Sequence, residues 1–162
     1  MVIRLKGNIM SELVRMLDCF WVWCENSSLE YKNDISMLPF DPLTYPQIDD
    51  LRNKCINLIN SSLSQEEIDA FLTCMALDSE EELILDACKS RANKRFLFEL
   101  ISAGVHHLQS EARWQVAELL SNGIPGRESF LAELLNDPHP YVRKRAVNVA
   151  IFAKNENPEI KF

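Results

Sequence analysis

Few side chains in this sequence are typed and spaced for chemistry. His106 and His107 form the one histidine pair. Adjacent loop residues point apart, and no nearby cysteine or paired aspartate completes a ligand set, so a polar surface turn is expected there. His139 stands between Pro138 and Pro140, as a cap or a solvent-facing residue. No Ser-His-Asp or Cys-His set assembles from local motifs, and no glycine-rich phosphate loop occurs. The expectation is a protein with no enzymatic activity, no metal and no cofactor.

The carboxylates are the stronger signal. Glu66, Glu67, Asp69, Asp78, Glu80, Glu81, Glu82 and Asp86 fall between Ser64 and Asp86, with no Lys or Arg among them. Two readings stand side by side: a solvated helix face with favourable first-turn charges, or an acidic surface that meets a basic partner. The net charge of −7 argues against a nucleic-acid backbone as the main partner. Arg143, Lys144 and Arg145 reverse the sign near the C-terminus.

A chain of 162 residues, 47% of them hydrophobic, is long enough for one domain with a real core. Its apolar runs are far shorter than a membrane span. Arg4 and Lys6 precede an apolar region, as in a signal peptide, but Glu12, Arg15 and Asp18 interrupt it and no small-residue cleavage site follows. Cys19, Cys24, Cys55, Cys74 and Cys88 lack CxxC spacing, and most sit on apolar helix faces. A reducing cytoplasm suits them.

The elements that must position these residues are helices. The apolar spacing predicts a first helix from about Asn8 to Glu25, with Ile9, Leu13, Val14, Leu17, Phe20, Trp21 and Cys24 inward. Trp21 and Trp23 cannot both face that side. Asn26-Ser27-Ser28, Pro39, Asp41-Pro42 and Pro46 describe a long loop, which Tyr31, Phe40 and Tyr45 could pin to the body or turn to a partner. A second helix follows from about Gln47 to Ser61. Ser64-Gln65-Glu66-Glu67 and Ser79-Glu80-Glu81-Glu82 read as capping boxes that open two more, carrying Ile68, Phe71, Leu72 and Met75, then Leu83, Ile84, Ala87 and Cys88. A fifth, about Asn93 to Ala103, should bury Leu97, Phe98, Leu100 and Ile101 and end at Gly104 in the left-handed conformation. Ser110 should cap the sixth, which ends at Asn122-Gly123-Ile124-Pro125-Gly126.

The last two helices carry the most specific pattern. Phe130, Leu131, Leu134 and Leu135 share one face; Asp137-Pro138-His139-Pro140 then forces a turn. Pro140 suits a first helical position, and Val142, Ala146, Val149, Ala150 and Ala153 recur at helical spacing after it. The run Asp137-Pro138-His139-Pro140-Tyr141-Val142-Arg143 resembles the second half of a HEAT repeat. Ala112-Arg113 stands where Val142-Arg143 stands, about thirty residues earlier, a shorter period than the usual forty. The resemblance covers about Phe96 to Ala153, extends to Ser64, and is absent from the N-terminal third.

It implies an all-α, right-handed solenoid of stacked antiparallel hairpins with about eight helices. The expected division is one domain, 1–162: an irregular cap 1–63 with loop 26–46, hairpins 64–154, and a tail 155–162. It also implies that an arginine at this place pairs with the turn aspartate of a neighbouring repeat, which would make Arg143 and Asp137 structural, and that inner helices line a binding surface. That surface would present Glu80, Glu81, Asp86, Glu111, Trp114 and Glu118, an aromatic anchor among acids that suits a basic protein. The chain is similar in class to bacterial immunity proteins, so the leading expectation is inhibition of a basic, nuclease-type toxin domain in the cytoplasm. An adaptor or assembly subunit of a cellular complex is the alternative. A third class, helical-repeat DNA glycosylases, would need Trp114, Arg113 and Arg143 in a cationic groove, which the acidic inner helices oppose.

Overall fold

The computed structural model describes residues 10–24 and 29–161, and among these it is all-α, with nine α-helices and no strand. They are α1 (Glu12–Trp23), α2 (Leu29–Asn33), α3 (Ile48–Leu58), α4 (Gln65–Leu77), α5 (Leu83–Arg91), α6 (Lys94–Gly104), α7 (Ser110–Leu119), α8 (Arg127–Leu134) and α9 (Pro140–Glu156). Eight correspond to the expected helices; α2 is additional and lies in the segment read as a loop. The expected residues Arg4, Lys6, Asn8 and Ile9 at the N-terminus, and Glu25 with the break Asn26-Ser27-Ser28, lie outside the described residues.

Helices pack mainly on near neighbours in sequence. In one layer α3 packs on α5, α5 on α7 and α7 on α9; in the other α1 packs on α4 and α4 on α6. The rings of Phe98 and Phe130 carry that second layer on to α8, meeting edge to face at 5.9 Å. Helix α4 is the centre, with every residue from Ala70 to Leu77 buried. Phe71 and Met75 are wholly buried in it, and each such side chain contributes about 1.5–3 kcal/mol.

Caps explain where several helices start. Ser64 and Glu67 form the expected capping box on α4, with reciprocal bonds of 3.2 and 2.9 Å. Asn93 caps α6 through the Phe96 N–H at 2.9 Å. The box expected at Ser79 does not form. Residues 78–81 are a turn, Glu82 adopts φ 56°, and α5 begins at Leu83. Asp78 takes over the capping: it is fully buried, and its Oδ2 accepts the Ile84 N–H at 2.9 Å. Ser110 is the first residue of α7 and makes no side-chain cap.

Gly104 also differs from expectation. It stays helical, inside the last turn of α6, where an added Cβ would lie 2.3 Å from Val116 Cγ2. Its lack of a side chain lets α6 and α7 approach. Phe98 is 44% exposed, and Phe96 is buried in its place.

Residues 29–47, ahead of α3, form a strap. Asp34 and Asp41 cap two short 3-10 turns, Ile35–Met37 and Pro42–Thr44. Tyr45 is buried against Phe20 at 5.3 Å, and Phe40 meets the Trp23 ring at 5.2 Å. Of the two tryptophans, Trp21 is buried and Trp23 is partly exposed. Gln109 ties the strap to the far part of the chain. Its Oε1 accepts the Ile35 N–H at 2.9 Å, and its Nε2 donates to the Lys32 carbonyl at 2.6 Å.

Candidate interaction surface

The turns that join α4 to α5, α6 to α7 and α8 to α9 share one construction. Each holds a buried acceptor side chain, Asp78, His107 or Asp137. In the last two this side chain accepts a backbone N–H two residues on, from Gln109 at 3.2 Å and from His139 at 2.8 Å. Asp78 and Asp137 are also gripped by an arginine from an earlier helix. Arg52 Nε of α3 donates to Asp78 at 2.6 Å. Arg113 of α7 donates to Asp137 through Nε at 2.7 Å and Nη2 at 3.1 Å. Burial pushes the Asp78 carboxyl above its ordinary range, and the Ile84 N–H and Arg52 pull it back.

Of the two residues expected to pair with a neighbouring repeat, Asp137 does so through Arg113, and Arg143 does not reach the carboxylate of a turn aspartate. Arg143 Nη1 donates instead to the carbonyls of Asp137 and Pro138, at 2.7 and 2.9 Å. Arg113 makes the same pair of bonds to its own turn, at His107 (2.8 Å) and Leu108 (3.0 Å), while its other edge holds Asp137. The expected bridge between an arginine and the next turn aspartate is therefore made by Arg113 and Asp137.

His107 is another correction, since it is buried rather than on a surface turn. Its Nδ1 accepts the Gln109 N–H, which leaves Nε2 as donor, 3.3 Å from Asp69 Oδ1. That hydrogen bond holds the Asp69 carboxyl below its ordinary range. His106 points away, to Glu133 at 3.0 Å. Among the described residues no group of three or more His, Cys, Asp or Glu is placed to hold a metal ion. A groove of about 570 Å³ between α4 and α6 passes both histidines.

The six expected partner-binding residues divide by surroundings. Glu111, Trp114 and Glu118 follow one another at helical spacing on one strip of α7. Asp86 lies on α5 between Glu82, the residue just before the helix, and Lys89, one turn on, and both of these reach the α7–α9 side. The structure therefore gathers Asp86, Glu111, Trp114 and Glu118 on one face. Glu80 sits at its edge, in a cleft of about 240 Å³ shared with Glu111 and the strap residues Ile35, Phe40 and Asp41. Glu81 is apart, paired with Arg52 at 2.8 Å.

Two of the six are occupied internally. Glu118 is bridged by Arg145 at 2.8 Å and Lys89 at 3.4 Å. Trp114 is buried, 5% exposed, beneath the Arg145 guanidinium 4.6 Å from its ring and edge-on to Tyr141 at 5.6 Å. The aromatic that reaches solvent on this face is Tyr141, 40% exposed. Tyr141 and Arg145 were legible as partners of Trp114 and Glu118 only through the likeness of Ala112-Arg113 to Val142-Arg143, thirty residues apart, since α9 packs on α7. Among the described residues Glu80, Asp86 and Glu111 meet no cation within ion-pair distance, so three carboxylates remain on or beside this face.

The chain matches no protein-family model, no curated protein and no solved structure. No helix among the described residues is long and apolar enough to cross a membrane.

Proposed function

We propose that this chain is a short-repeat, HEAT-like, right-handed α-solenoid that binds a protein partner without catalysis. Its partner is the basic domain of a nuclease-type toxin, which it neutralises in the cytoplasm as an immunity protein. The repeat reading is supported by Arg113 and Arg143, which bond their own turns alike thirty residues apart. The observation that carries the partner class is the set Glu80, Asp86 and Glu111. Among the described residues these acids meet no internal cation beside the exposed Tyr141 ring, while Glu81 and Glu118 are neutralised by Arg52 and Arg145. A cationic surface would find there the charge complementarity that speeds association and an aromatic contact for affinity.

The test is co-expression with the reading frame immediately upstream, affinity capture and a nuclease assay. A stoichiometric complex that suppresses a nuclease, and that is weakened by Asp86→Lys with Glu111→Lys at unchanged melting temperature, is the expected result. A nuclease left fully active, or a complex indifferent to both reversals, would sink the reading.

A further inference from the structure

The repeated turn construction leaves one arginine unfinished. Arg52 of α3 and Arg113 of α7 each reach the turn aspartate of a later hairpin, Asp78 and Asp137. Arg143 occupies the same place in α9 as Arg113 in α7, with Nη1 on the two carbonyls of its own turn. Among the described residues its Nε and Nη2 have no acceptor. The edge that Arg113 uses for a two-pronged grip on a carboxylate is open in Arg143, which is half-buried and held in place by its turn.

The same comparison applies to the apolar side. Ala117 of α7 stands where Val147 stands in α9, and it is fully buried. Val147 is 43% exposed, and Ile151, one turn further on, is 56% exposed. Lys144 is also exposed, on the same side of α9. An apolar strip beside a guanidinium edge fixed in advance has the composition of the internal helix–helix contact, without its second half.

We infer that this outer face of α9 is a docking surface for a helical hairpin of a partner protein, one that carries an aspartate or glutamate in its inter-helix turn. The carboxylate takes the open Nε/Nη2 edge of Arg143 in the fork geometry of Arg113 and Asp137, and the hairpin's apolar side covers Val147 and Ile151. A second copy of this chain fits poorly. Its turn aspartates Asp78 and Asp137 are already held by Arg52 and Arg113, and two α9 faces would set Arg143 and Lys144 against their own like charges. This inference stands apart from the acidic face formed by α5 and α7.

The probe is a synthetic peptide of residues 127–156, labelled and titrated into the full-length protein. It carries the α8–α9 hairpin with Asp137 free of Arg113. Saturable binding is expected. It should weaken by at least about tenfold when Arg143 of the protein is changed to Gln, and equally when Asp137 of the peptide is changed to Asn. Arg143→Lys should restore only part of the affinity, because the fork is lost. The peptide variant keeps the test readable if Arg143→Gln lowers the stability of the protein. No saturable binding, or binding indifferent to both changes, would overturn the inference. So would binding lost with Arg113→Gln but not Arg143→Gln, which would mean exchange for the protein's own last hairpin. Sedimentation of the protein alone showing self-association abolished by Ile151→Asp would assign the face to a second copy and overturn it as well.

Discussion

Arg113 holds Asp137 with two hydrogen bonds, at 2.7 and 3.1 Å, while Arg143 touches Asp137 only through its backbone carbonyl. The two arginines look equivalent in sequence and carry different loads. Both members of the Arg113–Asp137 pair are nearly buried, at 13% and 5% side-chain exposure. Removing one partner strands the other, a loss of about 3–5 kcal/mol for a buried pair.

Arg113→Ala should therefore lower stability by about 3 kcal/mol and the melting temperature by about 6–12 °C for a chain of this size. Arg143→Ala removes two bonds to carbonyls beside solvent and should cost only about 1 kcal/mol. Thermal melts of the two variants side by side check this; equal losses would contradict the assignment of Asp137 to Arg113.

Gly104 predicts a second asymmetry. A methyl there meets Val116 Cγ2 at 2.3 Å and Leu72 Cδ2 at 3.1 Å, so Gly104→Ala should destabilise by about 1–3 kcal/mol through overpacking. Val116→Ala removes the nearer obstacle. Urea titrations of both single variants and the double variant should show the double to be more stable than the sum of its parts. Simple additivity would mean that α6 and α7 yield freely at this contact.

The thiols set the alkaline limit. Burial pushes Cys24 up to about 11, Cys88 up to about 12 and Cys55 well above the ordinary thiol value. Cys19 alone is exposed. One thiol per chain should react rapidly with a disulfide reagent at pH 8, and the other four only on unfolding. The folded values are raised, so the stabilising contribution of these neutral thiols is fully present below the unfolded thiol pKa of about 8.5. It is lost progressively as pH rises from there towards the folded values. Chemical denaturation between pH 7.5 and 10 should show that decline, and it should flatten in a variant with Cys24 and Cys88 changed to Ala.

What the chain disclosed in sequence depended on how local each determinant is. Ser64 and Glu67 cap α4 as read, because a capping box needs four consecutive residues and nothing else. The same letters fail at Ser79, where Asp78 captures the start of α5. Its advantage comes from Arg52, twenty-six residues earlier, which no window over the turn contains. Trp114 reads as an exposed anchor by its position on α7, yet Tyr141 and Arg145 close over it from α9. Placing Asp86, Glu111 and Glu118 on one face followed from helical spacing. Deciding which of them keep a free charge required the neighbours, since Arg145 and Lys89 reach Glu118 from other helices.

Gln109 has a consequence for how the molecule comes apart. In a stack where each helix pair touches only its neighbours, unfolding can start at one end and unzip. Here one amide side chain holds backbone at Lys32 and Ile35 across 77 and 74 residues of sequence. Releasing the strap breaks both bonds, each worth about 0.5–1.5 kcal/mol, and strands a buried amide beside the α6–α7 turn. Loss of the N-terminal helices is thereby coupled to the middle of the chain, where a stack without this tie would fray more freely from its first helix.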